Sequence, residues 1–246
     1  MENLDTKNIW VTKYKIAHRG LHNANLPENS LGAFENAMQK GFAIELDVRL
    51  TKDDKVVVFH DDDTLRVCGE KFVIRQTLYE DLKKLKLDST DYYIPTLEQV
   101  LSLINKRVPI MIELKSASKK EQLEAKVYDI IKDYDGDIAI KSFNPISVLW
   151  FKKHAPHILR GMLSSYLEDI NLPRIYKTII KKLLLFKFVK PDFISYNFEN
   201  LPNKYVSRKK VPVIAWTIRD EESQNQALKY ASSVIFEGFI PEEPLN

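Results

Sequence analysis

IAHRGLHNANLPENSLGAFENAMQKGFAIELDVRLTKDDKVVVFHD, residues Ile16 to Asp61, is the stretch on which the reading of this chain turns. Its two histidines, His18 and His60, each close a short apolar run, and a third such run, AIELDV, carries Glu45 and Asp47 two positions apart. Residues i and i+2 of a strand point to the same side, so these two carboxylates face one way. Two acidic groups held that close repel each other, and a bound divalent cation relieves the repulsion. The segment reads as a metal-assisted acid/base site.

The runs Ile44–Leu50 and Lys55–His60 are strand-like with only Thr51–Asp54 between them. A parallel pair needs a crossover of about a dozen residues, so this connection must be a hairpin. A turn centred between Asp53 and Asp54 places His60 opposite Asp47, at the carboxylate end of the hairpin.

Outward from this stretch the same alternation continues. Strands are expected at Tyr14–His18, Ala43–Val48, Pro109–Leu114, Asp137–Ser142, Ile158–Leu163, Asp192–Tyr196, Val211–Thr217 and Ser233–Glu237. Helices are expected after Pro27–Ser30, after Thr96, and over Lys119–Tyr134, Pro145–His154, Pro173–Lys187, Leu201–Lys209 and Glu221–Tyr230. Thr96 with Gln99 three residues on is a capping-box pattern. Strand alternating with helix predicts an α/β protein, a (β/α)8 TIM barrel, and the chain's 246 residues suit the roughly 250 of that fold. We read residues 1–246 as one domain. Residues 62–93 are polar and irregular with a short helix near Tyr79–Leu85, and residues 49–93 together are a small insertion between the second strand and its helix, too poor in apolar residues for a core of their own.

Composition narrows the function. A formal charge of +3 makes no case for nucleic acid. The single cysteine, Cys68, excludes an internal disulfide framework and a CxxC metal site. No apolar run approaches the length of a membrane span and MENLDTKNIWVTKYK has no apolar leader core, so the expected location is cytoplasmic.

In a parallel barrel the active site lies at the C-terminal strand ends. His18, then Glu45 and Asp47, Glu113 and Lys115, Lys141 to Asn144, and Trp216 all fall at such ends. Polar groups gathered there describe a site rather than a core.

HRG (His18–Gly20), PENS (Pro27–Ser30), GAFENA (Gly32–Ala37), IELDVRLTKD (Ile44–Asp53) and VVVFHD (Val56–Asp61) also carry a resemblance. With IPTLEQVL (Ile94–Leu101), IELK (Ile112–Lys115), KSFN (Lys141–Asn144) and AWT (Ala215–Thr217), the chain resembles the glycerophosphodiester phosphodiesterase family over most of its length. The resemblance implies that His18 and His60 are the acid/base pair and that Glu45, Asp47 and Glu113 hold a metal. Three carboxylates suit a hard cation, Mg2+ or Ca2+, better than zinc. Arg19 and Lys115 then bind the anionic oxygens of a small phosphodiester, Lys115 having a salt bridge to Glu113 or Asp47 as its plainer role. Phe143 and Trp216 resemble the family's pocket aromatics. Glu28 resembles a supporting position, its plainer role being a loop-to-helix cap. Glu237 stands where the family carries an aspartate in a TDxP-like motif, and Asp62 and Asp63 organise a loop.

The implied substrates are deacylated phospholipids such as glycerophosphocholine. A lysophospholipase D- or sphingomyelinase D-like enzyme and a non-catalytic phosphate-ester binding protein are the competing readings; the latter would have lost His18, His60 or an acidic ligand. Tyr176–Phe188, YKTIIKKLLLFKF, interleaves lysines with large apolar residues. We expect an outer barrel helix that buries its Ile and Leu face under snorkelling lysines; the alternative is weak contact with a membrane surface.

Overall fold

A computed structural model describes residues 9–116, 122–168 and 173–242. The strands are β1 (Ile16–Ala17), β2 (Ala43–Leu50), β3 (Val56–Val58), β4 (Ile110–Leu114), β5 (Ile138–Ser142), β6 (Leu159–Ser164), β7 (Phe193–Asn197), β8 (Val213–Ile218) and β9 (Ser233–Phe236). The helices are α1 (Leu31–Gln39), α2 (Leu65–Cys68), α3 (Tyr79–Leu82), α4 (Leu97–Ile104), α5 (Gln122–Ile131), α6 (Pro145–His154), α7 (Arg174–Lys181), α8 (Phe186–Val189) and α9 (Glu221–Ala227). The alternation is that of a (β/α)8 barrel, with β3 added as the return arm of a hairpin. Contacts gather into two compact units, Ala17–Ile138 and Met1–Ile16 with Ala139–Asn246.

In the unit Ala17–Ile138, β2 runs parallel to β4 and antiparallel to β3. Every β2 residue from Ala43 to Val48 is buried, as a strand covered on both faces requires. Ser30 caps α1 by accepting from the Ala33 N–H, and Thr96 and Gln99 form the expected reciprocal capping box on α4. Gly20, at φ +79°, lets the chain turn tightly against α1, where a Cβ would stand 2.8 Å from the Ala33 carbonyl carbon.

Two expectations for this unit are corrected. Val48 pairs with Val58, so Phe59 rather than His60 lies opposite Asp47, and its N–H donates to the Asp47 carbonyl at 2.9 Å. The cause is the loop: Thr51 and Lys55 close around three residues, with Asp54 left-handed at φ +58°, which moves the register by one. Residues 49–93 also contribute to a real apolar cluster. Val67, Ile74, Leu82, Leu85 and Leu87 pack on Val57 and Phe59. Isolated apolar residues among charges converge because the return strand β3 gives them a common floor.

In the second unit, β5, β6, β7, β8 and β9 pair in that order, all parallel. Its core includes Val148, Met162, Ile194, Tyr196 and Val213. Asn144 caps α6, and Pro145 fits the first helical position because its missing N–H is not needed there. The helix expected over Leu201–Lys209 does not form. A 3-10 turn at Phe198–Asn200 precedes Pro202, and the Asn203 side chain accepts from the Tyr205 and Val206 N–H groups, holding a turn instead. The helix expected over Pro173–Lys187 is two, α7 and α8, separated where Leu183 turns left-handed at φ +51°. The start of the helix expected at Lys119 lies outside the described residues; α5 covers its later part.

Candidate active site

The parallel register of β2 and β4 sets Asp47 beside Glu113, and Glu45 shares the face of Asp47 two residues earlier. One carboxylate oxygen from each of Glu45, Asp47 and Glu113 lies within 4.8 Å of the others, and all three residues are buried. The Lys115 ammonium reaches both neighbours, 3.1 Å from Asp47 and 2.5 Å from Glu113. Burial pushes that ammonium toward its neutral form, but the carboxylates of Asp47 and Glu113 prevail and raise its pKa. Burial likewise pushes the Asp47 carboxyl up, yet Lys115, His60, Arg19 and His18 together hold it well below the usual range. Both histidines therefore lie within electrostatic reach of Asp47.

The loop after β1 is shaped to serve this cluster. Arg19 takes a left-handed backbone at φ +54°, which aims its own N–H at Glu45, 3.1 Å away. Its guanidinium meets Asp47 at 3.3 Å and Glu28 at 2.8 Å. Asn29, also left-handed at φ +58°, donates its amide to Asp47 at 3.1 Å and accepts the Asp47 N–H at 3.3 Å. Non-glycine residues in this region are uncommon, and both examples here fix a hydrogen bond to the acidic cluster.

A second chain of contacts runs from His60. Its Nδ1 lies 2.6 Å from Asp61 Oδ1, and Arg66 links Asp61, at 2.6 Å, to Glu28, at 2.7 Å. Burial raises the Asp61 carboxyl, but hydrogen bonds from Arg66 and His60 bring it down to about 2. An ionised carboxylate only accepts, so the hydrogen of this bond sits on Nδ1 and His60 presents the Nε2 lone pair. Burial lowers the His60 pKa; Asp47 opposes this, and Lys115 and Arg19 add to it.

The sequence puts His18, Glu45, Asp47, Glu113 and Lys115 at barrel strand ends, Arg19 directly after His18 and His60 at the end of the hairpin's return arm, and the structure gathers these residues about one cluster. It did not single out Asn29, Asp61 or Arg66 as supports. Asn29 and Asp61 lie inside quoted motifs, PENS and VVVFHD, which was the available signal. Arg66 meets Glu28 across 38 positions and leaves no local pattern. Glu28 is no cap, since Ser30 fills that place. Asp62 binds Arg49 through its side chain and Asp63 accepts from the Leu65 N–H, both holding the loop. In the other unit Phe143 and Trp216 meet edge to face at 5.9 Å, and Glu237 pairs with Arg219 at 2.7 Å.

The donor set fits a divalent cation. Three buried carboxylates against Lys115 and Arg19 leave one negative charge in surplus, and oxygen donors at this spacing are what a hard cation takes.

Comparison with known proteins agrees. Residues 18–240 match the model of the glycerophosphoryl diester phosphodiesterase family. A glycerophosphodiester phosphodiesterase of Bacillus altitudinis is 37% identical over 180 residues, covering 68% of this chain and 72% of that protein. One from Caldanaerobacter subterraneus subsp. tengcongensis is 42% identical over 160 residues, 60% of this chain and 65% of that protein. The solved structure of an Oleispira antarctica phosphodiesterase, in complex with its product sn-glycerol-3-phosphate, superposes with a TM-score of 0.77 at 25% identity, covering 91% of this chain and 92% of that one. The chain belongs to the glycerophosphoryl diester phosphodiesterase family, enzymes that hydrolyse glycerophosphodiesters.

Proposed function

We propose that this enzyme is a divalent-metal-dependent phosphodiesterase that converts glycerophosphocholine or glycerophosphoethanolamine, with water, to sn-glycerol 3-phosphate and the free alcohol. The observation that carries this reading is the buried Glu45–Asp47–Glu113 cluster, with its surplus negative charge, electrostatically coupled to two histidines.

Glu45, Asp47 and Glu113 would hold Mg2+ or Ca2+, which when bound offsets charge developing on a phosphoryl oxygen. Lys115 and Arg19 orient the phosphodiester anion as well as the carboxylates. His60, neutral and with Nε2 free of the Asp61 bond, takes the proton of the attacking hydroxyl. His18 gives a proton to the leaving alkoxide as the phosphorus–oxygen bond breaks. Trp216 and Phe143 form an aromatic pair suited to the apolar edges of the substrate, and the buried indole N–H of Trp216 has no acceptor among the described residues. Residues 1–246 act in this reaction as a single catalytic barrel domain.

The test is release of glycerol 3-phosphate from glycerophosphocholine by the wild type, His18→Ala and His60→Ala. Turnover by the wild type and a loss of at least about a hundredfold in both variants is expected. Wild-type activity in either alanine variant would remove the two-histidine assignment.

A further inference from the structure

The segment from Arg174 to Lys190 presents a surface that hydrolysis of a small diester does not use. It carries six basic residues, Arg174, Lys177, Lys181, Lys182, Lys187 and Lys190, and no aspartate or glutamate. No side chain of α7 is buried. Large apolar groups stand in solvent both within α7, where Ile175 is 66% and Tyr176 53% exposed, and after it, where Leu184 is 57% and Phe188 62% exposed. Isolated exposed apolar residues are ordinary, but a group of this size within one short segment is not.

The segment is nonetheless firmly seated. Leu183 and Val189 are its buried anchors. The Ser164 hydroxyl donates to the Ile180 carbonyl at 2.8 Å, the Tyr196 hydroxyl to the Lys181 carbonyl at 2.9 Å, and the Lys152 ammonium to the Phe188 carbonyl at 2.6 Å. The outward-facing residues are therefore held in place rather than awaiting burial in their own unit. Lysines pair with the flanking rings, Lys181 at 3.5 Å from the Tyr166 centroid and Lys209 at 4.7 Å from that of Phe186, so the basic character extends past the segment.

From this we infer that α7, α8 and the turn between them dock the enzyme on an anionic lipid bilayer. Cations intermixed with large apolar and aromatic side chains are what the boundary of headgroups and acyl chains takes, the apolar groups entering and the lysines meeting lipid phosphates. A second copy is the poorer occupant. A two-fold contact sets the same patch against itself, and here it would bring six cations against six. An apolar protein groove would leave those cations uncompensated. The inference does not depend on which diester the enzyme hydrolyses.

The experiment is co-sedimentation of the purified chain with phosphatidylcholine vesicles that contain or lack phosphatidylglycerol, at low and high salt. Alongside it runs the variant Ile175→Ser, Leu184→Ser, Phe188→Ser, whose altered side chains are exposed; a thermal melt confirms its fold, and Lys182→Glu with Lys187→Glu serves as a second variant should the first fail to fold. The wild type is expected to pellet with the anionic vesicles only, to be released by salt, and to lose about tenfold or more in binding in either variant. Wild type left in the supernatant with anionic vesicles at low salt, or binding that both variants retain, would overturn the inference. So would sedimentation equilibrium showing a dimer that the variants dissociate, because the face would then belong to a second copy.

Discussion

Asp47 and Glu113 stand side by side in the parallel pairing of β2 with β4, and the Lys115 ammonium bridges them at 3.1 and 2.5 Å. The arrangement follows from strand geometry: neighbouring residues of a parallel pair present their side chains to one face, and Glu113 and Lys115, two apart, share that face. Lys115 is thus a built-in counter-charge for the acidic cluster and a competitor for any added cation.

Lys115→Met tests that double role. Without the ammonium the carboxylates repel more strongly, so a divalent cation should bind more tightly, read by calorimetric titration. Hydrolysis should fall by about two orders of magnitude if Lys115 has the proposed role of a fixed positive charge toward the phosphodiester. Weaker cation binding in the variant would mean that Lys115 organises the carboxylates rather than competing for them.

Asp61→Asn should move the acid limb of the kcat/KM profile to lower pH. The Asp61 hydrogen bond raises the His60 pKa, against a burial effect that lowers it, so removing the bond lets burial prevail further. A limb that shifts to higher pH would contradict the Nδ1 contact.

The same substitution has a stability signature of known sign. The Asp61 carboxyl drops from an ordinary 3.8 to about 2 on folding, despite the opposing effect of burial. Its contribution is complete above about pH 4 and disappears as pH falls through about 2. Urea unfolding should find Asp61→Asn less stable than the wild type at pH 6 and the gap closing as pH approaches 2.

Two substitutions probe the scaffold. Thr96→Ala removes one half of the α4 capping box and should cost about 1 kcal/mol in chemical unfolding. Gly20→Ala should cost more, about 1–3 kcal/mol, since it combines a left-handed φ with a backbone contact at 2.8 Å.

Much of this site was legible because strand periodicity is local. Glu45 and Asp47 had to share a face whatever surrounded them, and His18 and Lys115 ended apolar runs. The Thr96–Gln99 box and the Asn144–Pro145 start likewise depend only on adjacent residues. The hairpin register was not legible to one residue, because it depends on whether Asp54 takes a left-handed turn. Asn29 and Arg66 act across 18 and 38 positions, where sequence shows a residue type but no partner. The α7 segment marks another limit. Its pattern shows an apolar face, but pattern alone does not say how much of that face is covered: Ile179 and Ile180 are half-buried while Ile175 and Tyr176 stand in solvent.

The central claim, that Glu45, Asp47 and Glu113 hold a cation the reaction requires, is tested most directly by stripping the enzyme with EDTA and restoring Mg2+ or Ca2+. Wild type and Glu113→Gln are followed together by calorimetric titration and by glycerol 3-phosphate release from glycerophosphocholine. The account predicts one cation bound per wild-type chain, with activity lost on stripping and regained on return of the metal. Glu113→Gln should bind it at least about tenfold more weakly. Undiminished turnover in EDTA, with no cation detected in the titration, would contradict it.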